Sequence, residues 1–192
     1  MRAMRVFTGV ALVLGLAGLL ACERRDSNRT SGSKSRTTSP EDRSYTTPKG
    51  ATTDSSWLVM ASEANLAEVD AGKLAQSKAA STEIRQFAQQ MVEDHTKSNQ
   101  ELTDLAQKKG ITLPTRADEK HRKATADLAD LSGIEFDRKY ADMMVSEHEK
   151  AVSLFETHSN STDPDVKAFV DKTLPTLRHH LQMARDLKPK AD

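Results

Sequence analysis

The sequence predicts an all-α protein, a bundle of four long helices with a shorter fifth helix in one connection. Three observations carry this. From Ser55 onward apolar residues recur at helical spacing, and no stretch alternates in the manner of a strand. Ala, Leu, Glu, Lys and Gln dominate the same region, and all are good helix formers. Capping residues and helix breakers punctuate it where helix ends are needed.

The first helix spans residues 55–79. The second takes Ser81 as N-cap and stops at Gly110, a C-terminal glycine preceded by Lys108 and Lys109. A linker through Pro114 leads to the short helix, residues 118–131. The fourth opens on Ser132-Gly133-Ile134-Glu135, a capping-box pattern, and runs to about residue 158. The last takes Asp163 as N-cap and Pro164 as its first residue, and runs to about residue 187. Pro175 lies inside it, where a kink is expected because proline cannot donate the backbone hydrogen bond. The connection between the second and fourth helices is long. Two helical hairpins joined by such a crossover make a ferritin-like four-helix bundle. An up-down bundle with an extra helix is the alternative.

Upstream, the chain reads differently. Arg2 and Arg5 precede an apolar run, residues 6–20, broken only by Thr8, Gly9, Gly15 and Gly18. As a helix this run covers ~22 Å, short of the ~30 Å hydrocarbon core, so it reads as a signal-peptide core and not a permanent span. It ends at Leu19-Leu20-Ala21-Cys22, which resembles the lipobox of bacterial lipoproteins. Cys22 is the single cysteine of the chain, so an internal disulfide is excluded and lipidation accounts for it. The expectation is a signal peptide over 1–21, lipid on Cys22 as the membrane anchor, and a domain facing the periplasm, with the outer membrane favoured over the inner. Residues 22–54 form the lipidated cysteine and a tether. From residue 23 this stretch holds thirteen Ser and Thr, seven basic and five acidic residues, and little to bury. Such a segment is expected to stay disordered, with a root-mean-square span of roughly 30 Å. The helical domain then occupies 55–192.

Removing residues 1–21 leaves 26 basic and 28 acidic residues. That balance gives no reason to expect nucleic acid as a partner. The sequence names no protein partner. A basic cluster around the crossover (Lys108, Lys109, Arg116, Lys120, His121, Arg122 and Lys123) could meet an anionic surface.

A repeat offset by 53 residues aligns Phe87-Ala-Gln-Gln-Met-Val-Glu-Asp-His95-Thr-Lys97 with Tyr140-Ala-Asp-Met-Met-Val-Ser-Glu-His148-Glu-Lys150. Together with Leu66-Ala-Glu-Val-Asp-Ala-Gly-Lys-Leu-Ala75 and Thr173-Leu-Pro-Thr-Leu-Arg-His-His-Leu-Gln-Met-Ala184, these strings resemble the "domain of unknown function 4142" family. The resemblance spans roughly residues 57–187. It implies a ferritin-like fold and an exported or outer-membrane protein, and it implies no activity. Ala64-Asn65 departs from it, since the family usually shows a glycine there.

Each long helix sends one ligand-type side chain into its buried stripe: Glu68, His95, His148 and His180. Glu68, His95 and His148 lie near helix midpoints and should share a layer. His180 sits about six residues, or ~9 Å, off the level of His148. Three imidazoles and a carboxylate suit a transition metal: copper, zinc or iron. The sequence argues against a ferritin-type di-iron site, because Val92 and Val145 stand where Glu-x-x-His pairs need glutamate. Asp94 and Glu147 lie about 100° around their helices and should face elsewhere. Met91, Met144 and Met183 share faces with the histidines and are candidate soft ligands. The competing reading is a non-enzymatic structural or adaptor lipoprotein whose Glu–His network only fixes helix packing. No nucleophile elbow, phosphate loop, Cys–His pair or zinc-protease motif is present.

Overall fold

The computed structural model describes residues 53–191. The expected signal peptide, Cys22 and almost all of the tether lie outside them. Five helices follow in order: α1 (Thr53–Lys78), α2 (Thr82–Lys108), α3 (Glu119–Ala129), α4 (Gly133–Glu156) and α5 (Pro164–Ala191). None of the described helices is long and apolar enough to cross a membrane.

Helix starts follow local chemistry. Ser81 Oγ accepts from the amides of Glu83 (3.1 Å) and Ile84 (3.3 Å) at the head of α2. Asp118 caps α3 through the His121 amide (2.9 Å). Asp163 caps α5 through the amides of Asp165 (3.0 Å) and Val166 (3.2 Å). The capping box expected at α4 does not form, and the Ser132 side chain makes no cap bond. Gly133 there has φ +59°, a left-handed backbone, and it is bridged to Ala79 at the end of α1. That pairing turns the chain before α4 starts. The buried Asp137 of α4 instead accepts from the amides of Ala80 (3.0 Å) and Ser81 (2.7 Å), clamping the α1–α2 turn. Helix α5 continues through Pro175 without a break.

α1 packs along α2 and α4 along α5, while α1 also meets α4 and α2 meets α5. The core has two apolar halves. At one end Trp57 and Leu58 of α1 join Leu102 and Leu105 of α2, Phe155 of α4 and Val166 and Phe169 of α5. The indole of Trp57 is fully buried and donates to the Leu154 carbonyl (3.2 Å). At the other end Ala71 and Ala75 meet Ile84, Phe87 and Met91, Phe136, Tyr140 and Met144, and Ala184 and Leu187. Adjacent helices are therefore antiparallel, and α2 and α4 run the same way across the diagonal. The crossover must return the full length of the bundle, which is the ferritin-like arrangement. α3 lies outside the four, against α1 and α4, and buries only Leu128.

α1 and α2 approach closely at Gly72. A Cβ there would stand 2.8 Å from Val92 Cγ2 and 3.1 Å from the Ala88 carbonyl oxygen. Gly72→Ala should therefore destabilise by about 1 kcal/mol net, the overpacking cost exceeding the gain in helix propensity. Adding Val92→Ala, which removes the closest atom, should recover part of the loss. Urea unfolding of the single and double variants checks this.

Candidate metal centre

Between the two apolar halves lies a polar layer. Glu68 of α1, His95 of α2, His148 of α4 and His180 of α5 are each no more than 2% exposed. Equal heights for His95 and His148 follow from the repeat, because it sits on two helices that run in parallel. The three imidazoles form a near-equilateral group, with ring centroids 5.5 Å (His95–His148), 5.3 Å (His95–His180) and 5.5 Å (His148–His180) apart. One nitrogen from each ring lies within 4.8 Å of the others.

His180 thus belongs to the layer, contrary to the axial offset expected from sequence. After α4 ends, backbone bonds from Thr157 to Ser153, His158 to Phe155, Ser159 to Glu156 and Ser161 to His158 prolong the helical path.

Each ring is held on one nitrogen by an acceptor. His95 Nδ1 lies 2.9 Å from Glu68 Oε2 and 2.9 Å from Asn65 Oδ1. His148 Nδ1 donates to the Met144 carbonyl (2.9 Å), with Glu68 Oε1 at 3.4 Å. His180 Nε2 donates to Asp94 Oδ2 (2.9 Å). All of these partners can only accept, so each held nitrogen carries the proton. The opposite nitrogens, His95 Nε2, His148 Nε2 and His180 Nδ1, are buried and have no partner. In the neutral rings they are lone pairs. Buried acceptors left unmade cost free energy, and a cation at their centre would satisfy three at once.

The carboxylate of Glu68 stands outside that nitrogen set, against the Nδ1 edge of His95. It is second to the rings rather than level with them. Asn65 and Asp94 complete the support, and the sequence reading assigned neither a role here. Asn65, at the departure from the family pattern, is fixed by its own bond to Ser98 Oγ (3.2 Å). Asp94 does rotate away from the core, but it reaches the neighbouring α5 at the rim. Glu147 faces α3, where it lies 3.4 Å from His121 Nε2. Met91 and Met144 are fully buried in the apolar half beside the layer, and Met183 is half-buried against it. The basic cluster of the crossover is partly offset by acids, Lys109 by Asp163 and Lys123 by Asp127.

Burial alone would raise the Glu68 carboxyl, but His95 and His148 beside it outweigh burial and bring it down to about 2. Burial pushes His148 down against the pull of Glu68. Burial and the neighbouring His95 bring His180 down to about 4, despite Asp94. The Tyr140 hydroxyl, buried without a partner, is pushed up by burial and by Glu68 and stays neutral.

The signs combine as follows in metal-free protein. His148 and His180 bind protons more readily unfolded than folded. Their contribution is complete above the ordinary imidazole value of about 6.5. It is lost as pH falls toward about 4. The Glu68 contribution is present above the ordinary carboxyl value and is lost as pH falls toward about 2. His121, raised first by its bond to Glu147, works in the opposite sense and loses its share as pH rises. Urea midpoints of the chelator-treated protein should therefore fall steadily from pH 6.5 to 4.5. His148→Gln/His180→Gln should flatten that slope. A wild-type profile that is flat over this range would contradict the assignment.

Solved structures of similar shape are helical bundles. A DUF305 fragment from Deinococcus radiodurans matches with a TM-score of 0.64 at 12% identity, over 71% of this chain and 95% of that one. CopM in its Cu(I)-bound form matches with a TM-score of 0.61 at 18% identity, over 73% of this chain and 98% of that one. No curated protein sequence matches. Residues 39–187 match the domain of unknown function DUF4142, and the chain belongs to that family.

Proposed function

We propose that this chain is a lipid-anchored envelope protein that binds one transition-metal ion through His95, His148 and His180. The observation that carries the proposal is the set of three buried, partnerless imidazole nitrogens on three different helices. Three imidazoles suit copper, zinc or iron. Copper is favoured by the likeness to CopM in a Cu(I)-bound form. Glu68 serves as the carboxylate behind His95, fixing its tautomer and supplying a negative charge near the ion. Asn65, the Met144 carbonyl and Asp94 orient the rings in the same way. Met91, Met144 and Met183 pack in the apolar half beside the layer, as candidate soft ligands. Anchoring rests on the lipobox-like residues 19–22 and the single Cys22. The bundle then carries out its binding outside the cytoplasm, and the outer membrane is the favoured site.

The competing reading is that the layer is a structural network. One observation favours it, the close Glu68–His95 pair, which already partners the buried carboxylate without a metal.

Metal binding separates the two. A hundredfold excess of free Cu(I) or Zn(II) over the dissociation constant should raise the melting temperature by about 8 °C, from ~2.7 kcal/mol of linked stabilisation. The gain should fade below about pH 6 as imidazoles protonate. His95→Ala/His148→Ala should abolish the metal response. An unchanged shift in that double variant would exclude this site and leave the network reading. For the anchor, Cys22→Ala should move the chain from the membrane fraction to the soluble fraction, and continued membrane retention would count against lipidation.

A further inference from the structure

We propose that the metal ion enters and leaves the centre through the seam between α1, α3 and α4, with α3 as the door. This rests on the metal-centre reading and adds a route to it. The three histidines are no more than 2% exposed, so no ion reaches them without an opening. One narrow crevice does lead inward on this side. It has room for about 20 Å³, enough for a single water, and it ends at Glu68.

The residues along the crevice suit a passing cation. Among its lining residues Glu147 and His121 are partly exposed, Met143 and Met144 lie beside them, and Glu68 is buried. A carboxylate, thioethers and a second carboxylate give a metal ion successive weak partners. Glu68 in turn touches His95 and His148. The opposing wall is small, with Ala67 and Ala71 on α1 and Ala124 on α3, so a modest shift of α3 widens the passage.

α3 is built to move. It is the shortest of the described helices, eleven residues, it buries only Leu128, and it packs mainly on α1 and α4, with the Lys78 ammonium donating to the Ala129 carbonyl at its C-terminal end. Elements with few buried contacts open at the lowest free-energy cost. Its N-terminal half is tied to α4 by His121, whose Nε2 lies 3.4 Å from Glu147 and whose Nδ1 lies 2.8 Å from Asp118. The other rim of the layer is closed differently. There α2 and α5 are full-length core helices joined across their faces by His180–Asp94 and by Lys172–Glu101 (2.7 Å).

Release kinetics test the proposal, since entry and exit share one path. Full-length chain loaded with Cu(I) is mixed with excess bicinchoninate, whose colour reports the freed ion. His121→Ala removes the tie to α4 and should speed release about tenfold while leaving the dissociation constant unchanged. Ala124→Leu, which fills the crevice, should slow release. If Ala124→Leu fails to fold, His121→Ala decides alone. Lys172→Ala, which loosens the α2–α5 rim, should leave the rate as it is. Unchanged release in His121→Ala, or faster release in Lys172→Ala than in His121→Ala, would overturn the doorway. A chain that holds no copper would overturn the metal centre itself, so the two failures are distinct.

Discussion

A carboxylate buried in the middle of an apolar bundle is the constraint on which the rest depends. Glu68 is 2% exposed, and an unpaired charge there would cost several kcal/mol. Its Oε2 lies 2.9 Å from Nδ1 of His95 and its Oε1 3.4 Å from Nδ1 of His148, so one side chain of α1 faces both of its neighbours in the bundle. The interaction specifies more than it stabilises. A one-turn slip of α1 against α2 or α4 would strand the charge in an apolar half. The two hydrophobic clusters can then be conventional packing, because the layer between them sets their register.

The same pairing leaves a chemical residue. Once Nδ1 of His95 and His148 and Nε2 of His180 are held by acceptors, the remaining three nitrogens have nowhere to turn. They come from α2, α4 and α5, and their supports come from α1, from the backbone of α4 and from α2. Every long helix therefore contributes either a ligand or the group that aims one. A site arranged in this way resists distortion, since moving a long helix displaces either a ligand or a group that aims one.

Much of this was legible in the sequence, and the exceptions have identifiable causes. Helix starts at Ser81, Asp118 and Asp163 follow from side chains that can accept backbone amides. The four inward groups follow from period alone, because a polar residue on an apolar stripe must be buried with it. Three features were not legible. The height of His180 depends on the path the chain takes between α4 and α5, which the periodicity of either helix leaves open. Asp94 faces the rim as its position predicts, yet α5 meets it there, a contact that the periodicity of α2 does not reveal. Ser132 carries a capping pattern that the left-handed Gly133 and its bridge to Ala79 override. Local patterns described each helix well. What they missed was set by the contacts between helices.

The central claim is that the three partnerless nitrogens hold one metal ion. X-ray absorption on the zinc-loaded chain tests it most directly. The account predicts a first shell containing three imidazole nitrogens at about 2.0–2.1 Å, with His180→Ala losing one of them. A first shell without imidazole scattering, or one that is identical in His180→Ala, would contradict it.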